Sequence, residues 1–193
     1  MSATSAPFGL RPAYHPSGLD RAQGLANIIE SGYTQNLLKG QAVKLAAATG
    51  YVVRADATDA LYGVFDGVEW TDTTGRRRVS NYWPALTAYQ TGSLIAYIWT
   101  DPQVVYEIQA AGSIAQTALG AEFDLSSPYA GSTTTGLSQA TLGAGTAVGN
   151  NQPGQMRVVN LAPYVDNAWG DAYTVVRVVN SASQFFGTVN AIA

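Results

Sequence analysis

Cysteine is absent from this chain of 193 residues, and histidine occurs once, at His15. A chain without cysteine has no disulfide framework, no thiol nucleophile and no cysteine-ligated zinc or iron–sulfur site. A single histidine excludes paired-histidine metal sites and leaves a serine–histidine–aspartate enzyme only one candidate base. A chain of this length can nevertheless bury a hydrophobic core without covalent cross-links.

Charged side chains are also scarce, at 12% of the residues, about half the share in an average soluble protein. The net charge is -3. A nucleic-acid-binding protein needs a basic field, so we expect no direct nucleic-acid partner. We see no N-terminal leader pattern and no apolar run of about 20 residues, so we expect no membrane partner. A surface so poor in charge is best explained by contact with other proteins.

Residues 1–25 combine frequent proline and glycine with apolar side chains. The prolines and glycines are too dense for a helix or a central strand, whereas a disordered tail would not carry so many apolar residues. We therefore predict an extended N-terminal arm that docks either on another chain or back on its own domain. Its candidate contact residues are Phe8, Leu10, Arg11 and Tyr14.

Residues 26–180 have the pattern of a single β domain, with β-branched and aromatic runs separated by turn residues. We predict an all-β fold of about nine to eleven short strands, with very little helix, closed as a compact β-barrel or packed as a sandwich. The best helix signal is a short one at residues 113–119. The predicted strands are 26–33, 42–46, 51–55, 60–70, 76–83, 93–99, 103–109, 122–125, 155–162 and 172–180.

Residues 125–156 contain no charged side chain. Their low complexity predicts a long loop with short strands near residues 140–142 and 146–148. The remaining residues, 181–193, are predicted to fray into an apolar C-terminal tail.

The acidic residues Asp66, Glu69 and Asp72 do not form a convincing metal site. Residues 66 and 69 of one strand face opposite sides, so solvated carboxylates are favoured over a calcium site. Nor does the chain carry a phosphate-binding or nucleophile motif. We therefore predict no catalytic residue, no metal and no cofactor. The four tryptophans are assigned to core or interface packing rather than to sugar binding.

The one run of charge is Arg76, Arg77 and Arg78 on a predicted hairpin strand that continues to Tyr82 and Trp83. The run is either a solvated turn or a set of guanidinium groups that pair with acidic groups on a neighbouring subunit. Together with the arm residues, Arg76–Arg78, Tyr82 and Trp83 complete the set of candidate contacts with neighbouring subunits.

Several segments spread over about residues 6–180 resemble a group of tailed-bacteriophage virion structural proteins. These segments are Ala6-Pro-Phe-Gly-Leu-Arg-Pro12, Leu61-Tyr-Gly-Val-Phe-Asp-Gly-Val-Glu-Trp70, Val79-Ser-Asn-Tyr-Trp-Pro84, Asp101-Pro-Gln-Val-Val-Tyr-Glu-Ile-Gln109, Gly112-Ser-Ile-Ala-Gln-Thr-Ala118, Gly131-Ser-Thr-Thr-Thr-Gly136, Asp166-Asn-Ala-Trp-Gly-Asp171 and Val175-Val-Arg-Val178. The segments are specific together rather than singly.

The resemblance implies a non-enzymatic virion protein, and most often a head decoration or cement protein. Such a protein binds the outside of the capsid and stabilises it against internal DNA pressure. The expected partners are the major capsid protein and further copies of this chain, as a homotrimer. The expected location is the capsid surface of the virion, after synthesis in the host cytoplasm. The alternative is a carbohydrate-binding module on a virion fibre or tail.

Overall fold

The computed structural model describes residues 2–18, 21–145, 147–148 and 153–186. These residues form an all-β fold, as the sequence predicts, with fifteen strands in place of the expected nine to eleven. The strands are β1 (Arg11–Tyr14), β2 (Gln23–Ala26), β3 (Gln41–Leu45), β4 (Val52–Arg54), β5 (Gly63–Thr71), β6 (Arg77–Ser80), β7 (Ile95–Trp99), β8 (Val105–Gln109), β9 (Glu122–Phe123), β10 (Leu125–Ser126), β11 (Gly131–Ser132), β12 (Leu137–Ser138), β13 (Thr141–Leu142), β14 (Met156–Leu161) and β15 (Val175–Asn180).

Two antiparallel sheets carry the architecture, which is sandwich-like and not a closed barrel. The five-stranded sheet has the order β1-β8-β15-β14-β9. The six-stranded sheet has the order β2-β7-β5-β3-β4, and β6 pairs with the second half of β5. β10 pairs with β13, and β11 pairs with β12, in two further ladders within the charge-free segment.

The six-stranded sheet is buried on both faces. On one face, Val64 packs with Tyr106, Ile108 and Val176 of the five-stranded sheet. On the other face, a second core gathers β-sheet residues and residues of the adjoining loops. Its buried members are Ile29, Leu37, Val43, Val52, Phe65, Val68, Trp70, Trp83, Leu94, Ala96 and Ile98. The molecule is therefore layered as sheet, sheet and loops.

The two glycines of the long strand β5, Gly63 at its start and Gly67 in its interior, both have a structural reason. A Cβ at Gly63 would lie 2.3 Å from the Trp99 carbonyl oxygen, which only glycine avoids. The β5–β7 register shifts between Phe65 and Gly67. Interior strand glycines indicate a bulge or a close backbone approach, and here one of each is present.

The predicted strand 26–33 is wrong beyond Ala26. Asn27 adopts the left-handed conformation, with φ of 52°, which ends β2. Ile29 then leaves the sheet and is fully buried in the second core. The two consecutive isoleucines therefore belong to a loop that is packed against the six-stranded sheet.

The predicted helix at residues 113–119 shrinks to a single 3-10 turn, Gln116–Ala118. Ala115 precedes this turn with an extended backbone and supplies no side-chain cap. The turn also buries none of its residues. Neither capping nor packing is available to extend it, and helices so short need one or the other.

The N-terminal arm contains two strands, β1 and β2, and docks on its own domain. Each lies at the edge of a sheet. A proline such as Pro12 is tolerated at an edge, where its missing N–H faces away from the ladder. Both strands of the arm are thus edge strands, and neither is a central strand of its sheet.

The tail and the charge-free segment differ from their predictions in detail. Leu61 exchanges backbone hydrogen bonds with the tail: its N–H donates to the Ala182 oxygen at 2.7 Å, and its oxygen accepts from Gln184 N at 3.0 Å. The tail is therefore ordered to this point, and residues 187–193 lie outside the described residues. Residues 147–148 form no strand, and Thr146 of the predicted strand 146–148 also lies outside the described residues.

Candidate contact surfaces

The first residues of the arm cross the outer face of the five-stranded sheet. Gln109 of β8 donates its side-chain amide to the Thr4 oxygen at 3.0 Å and accepts from Ala6 N at 2.8 Å. Ser2 accepts a hydrogen bond from Tyr173 N at 2.8 Å. This strap, residues 2–6, explains why Gln109 is only 1% exposed although it points away from the core.

A buried carboxylate, Glu107 of β8, joins the arm to the sheet. It accepts hydrogen bonds from Arg11 Nη2 at 2.6 Å, from the Tyr164 hydroxyl at 2.5 Å and from Arg177 Nε at 3.3 Å. Arg11 also donates to the Tyr164 hydroxyl. Burial raises the pKa of Glu107, but the bonds from Tyr164 and Arg11 outweigh burial and hold this pKa below its usual value.

Aromatic rings complete this cluster. The Arg11 guanidinium lies over the Phe8 ring, 4.8 Å from its centre, and the Arg177 guanidinium lies 5.3 Å from the centre of the Tyr14 ring. Phe8, Arg11 and Tyr14 are thus brought together around Glu107 by contacts within the chain. Leu10 is not part of this surface. It is 1% exposed and packs in the core between the two sheets.

An apolar groove lies between the arm and the six-stranded sheet. It has a volume of about 220 Å³. We call it the arm groove, and it is lined by Phe8, Leu10, Arg11, Pro12, Lys39, Gly40, Val64, Phe65, Asp66, Trp99 and Leu137. Lys39 Nζ pairs with Asp66 Oδ1 at 2.9 Å, with both side chains partly exposed. Leu137 comes from the charge-free segment and is 42% exposed.

Each of the three acids of the β5–β6 hairpin region is paired with a different cation. Asp66 pairs with Lys39, Glu69 pairs with Arg77 at 2.7 Å, and Asp72 pairs with Arg78 at 2.9 Å. Hydrogen bonds from Thr74, from the Arg76 backbone and from Arg78 hold the pKa of Asp72 well below its usual value. Within the described ranges, no group of three or more histidine or acidic side chains is placed to hold a metal ion.

The arginine run lies in the exposed strand of this hairpin. The register places Arg78 opposite Trp70 and Val79 opposite Glu69, so Arg77 and Val79 share one face and Arg78 lies on the other. Val79 is 76% exposed. Arg77 and Arg78 use carboxylates of their own chain, which leaves Arg76 without an ion pair in the part of the chain that the structure describes.

Trp83, a predicted contact residue, belongs to the core. It is fully buried, and its ring packs edge-on against Trp70 at 5.3 Å and Tyr89 at 5.9 Å. Tyr82 beside it is half-buried. Because Trp70 and Trp83 are both core residues, a sugar-binding surface built on exposed tryptophans is limited to the half-buried Trp99 and Trp169.

Comparison of the chain with protein-family models, with curated proteins and with solved structures finds no match. Among the described residues, no helix has the length and apolar character that a membrane crossing requires.

Proposed function

We propose that this chain is a non-enzymatic structural protein of a tailed-phage virion that decorates the outside of the capsid. The observation that carries the proposal is the arm groove. There an arm residue, Phe8, and a residue of the charge-free segment, Leu137, line one open apolar pocket beside the ion pair of Lys39 and Asp66. Such a pocket fits an apolar side chain of another protein, with the ion pair fixing its orientation.

The energy available at one groove is small. Burial of one large apolar side chain contributes about 1.5–3 kcal/mol, which alone gives weak binding. A homotrimer that presents three grooves to neighbouring capsid subunits would bind far more tightly, because the second and third contacts are intramolecular. Binding to the assembled shell and not to free subunits then stabilises the shell by mass action.

Mixing purified protein with undecorated capsids of the phage that encodes it tests the groove. Leu137→Ser removes an exposed apolar side chain from the groove, and we expect about tenfold weaker binding with an unchanged fold. Leu119→Ser is the matched control, because Leu119 is 45% exposed and lies outside the groove. Equal binding by both variants and the wild type would remove the groove from the interface.

The copy number in purified virions tests the location, and particle reconstruction tests the oligomer. Hundreds of copies on the shell, grouped in threes, are expected. A few copies on the tail would contradict decoration of the head, and isolated copies at general positions would contradict the trimer. Absence of the protein from purified particles would overturn the proposal as a whole.

A further inference from the structure

Strand β6 is an open sheet edge. It pairs with β5 on one side, and no described strand pairs with its other side. Every residue from 73 to 79 is exposed. An exposed strand edge presents unpaired backbone groups on which another extended chain can add.

The hydrogen-bond pattern shows which backbone groups are free. Asp72 N donates to the Arg76 oxygen at 2.9 Å, so alternation along the ladder places the bonds of β6 at Arg78 and Ser80. Thr71, which lies opposite Arg77, directs its N–H away from β6 and donates it to Ser93 Oγ at 3.1 Å. The N–H and C=O groups of Arg77 and Val79 therefore point outward, away from β5.

The charge at this edge is positive. Arg77 and Arg78 are 56% and 51% exposed, whereas their partners Glu69 and Asp72 are each 18% exposed. The guanidinium groups thus stand further into solvent than the carboxylates that they pair with. Arg76 adds a third positive charge for which the described residues supply no carboxylate.

We propose that β6 is the docking edge for an extended, acidic segment of a partner protein, which adds as a further strand beside Arg77–Ser80. The outward N–H and C=O groups of Arg77 and Val79 would form the ladder, and carboxylates at alternate positions of the segment, which share one face, would meet Arg76 and Arg78. A second copy of this edge is a poor occupant, because like charges placed opposite each other across a ladder are destabilising. The inference goes beyond capsid decoration and does not depend on it.

Nuclear magnetic resonance titration of the full-length protein tests the docking edge. The probe is a synthetic peptide of about eight residues that alternates glutamate and threonine, a length typical of a strand. Saturable shifts of the Arg77 and Val79 amides are expected, with slower hydrogen exchange at both. The same peptide with lysine in place of glutamate is expected to leave the shifts of these amides unchanged. Added salt is expected to weaken binding of the glutamate peptide.

Three variants, one of them a control, separate the contribution of the charge from that of the backbone. Arg76→Glu is expected to weaken binding of the glutamate peptide by a factor of about three or more. Arg21→Glu makes the same charge change next to β2, at the opposite edge of the six-stranded sheet, and is expected to bind as the wild type does. Val79→Pro removes an outward N–H that β5 does not use, and it is expected to abolish the slowed exchange at Arg77.

The inference is overturned if no saturable shift appears at about 5 mM peptide, a concentration at which even very weak binding is visible. Equal binding of the lysine peptide would also overturn it, as would equal weakening by Arg76→Glu and Arg21→Glu. If Val79→Pro does not fold, the peptide pair and the two arginine variants still decide the question.

Discussion

Arg11 and Glu107 lie directly opposite each other across the β1–β8 ladder, and their side chains pair at 2.6 Å. The same two residues therefore join the arm to the sheet through both the strand pairing and an ion pair. Glu107 is buried, and Arg11 is half exposed. If the pair were broken, Arg11 could hydrogen-bond to water instead, whereas Glu107 could not. This explains how a segment rich in proline and glycine becomes an ordered edge strand.

Glu107→Gln is expected to lower the free energy of unfolding by about 1–3 kcal/mol, because three donors lose a charged acceptor. Urea unfolding measures the change. Glu69→Gln is the control, since Glu69 pairs with a mostly exposed arginine, and such a pair contributes under about 1 kcal/mol. Equal losses in the two variants would contradict a special role for the Glu107 cluster.

The stability of the wild type is expected to fall in acid more steeply than that of Glu107→Gln. The folded pKa of Glu107 lies below its ordinary value of 4.5. The contribution of Glu107 to the free energy of unfolding is therefore complete above its pKa in the unfolded chain, and it is lost as the pH falls through its pKa in the folded protein. Urea unfolding at a series of pH values from about 6 to about 2.5 measures this loss. Parallel curves for the two proteins would contradict the assignment.

The strands between residues 42 and 109 could be predicted because alternation and turn residues agree there. The turn at Asn27 escaped prediction, since two isoleucines after it resemble a strand. The short ladders of the charge-free segment escaped for a different reason: strands of two residues, such as Gly131–Ser132 and Leu137–Ser138, have no period to read.

The candidate surface was predictable only in part. Arm residues stood out by composition and the arginines by charge, but Glu107 is separated from Arg11 by 96 positions and from Tyr164 by 57. No local pattern reports such a pairing. The available signal was an isolated charge within an apolar strand, present at Glu107 in β8 and again at Arg177 in β15. Leu10 and Trp83 are buried within their own chain, which the sequence did not reveal because an apolar side chain does not report which chain will bury it.

Gly9→Ala is expected to destabilise the protein by about 3 kcal/mol. Gly9 has φ of 70°, and a Cβ there would lie 2.8 Å from both the Gly40 oxygen and the Ser138 Cβ. The cost combines left-handed backbone strain with overpacking. Gly18→Ala is the matched control, because Gly18 has φ of 75° with nothing within 4 Å of its Cβ position, and about 1 kcal/mol is expected. Thermal unfolding compares the two, and equal costs would show that the arm does not pass closely between Gly40 and Ser138.

Asp124→Asn is expected to stabilise the protein at neutral pH, by less than about 1 kcal/mol. Burial raises the pKa of Asp124, the hydrogen bond from Gln155 N at 3.2 Å opposes this, and the charge of Glu122 raises it further. An asparagine oxygen can still accept from Gln155. Because the folded pKa is raised, the wild type loses stability as the pH climbs from the unfolded pKa through the folded one. The advantage of the variant should therefore grow over this window, stay constant above it and vanish below about pH 3.

Asp171→Asn makes the same chemical change with the opposite expected sign. Hydrogen bonds from the Ser2 hydroxyl at 2.5 Å and from Ala168 N at 2.7 Å hold the pKa of Asp171 below its usual value. Its contribution is present above the unfolded pKa and lost as the pH falls through the folded pKa, so the asparagine variant should be the less stable protein at neutral pH. Urea unfolding of both variants beside the wild type, at neutral pH and at about pH 3, gives the comparison. If both variants change the free energy of unfolding in the same direction at neutral pH, burial does not disfavour the charged form of Asp124.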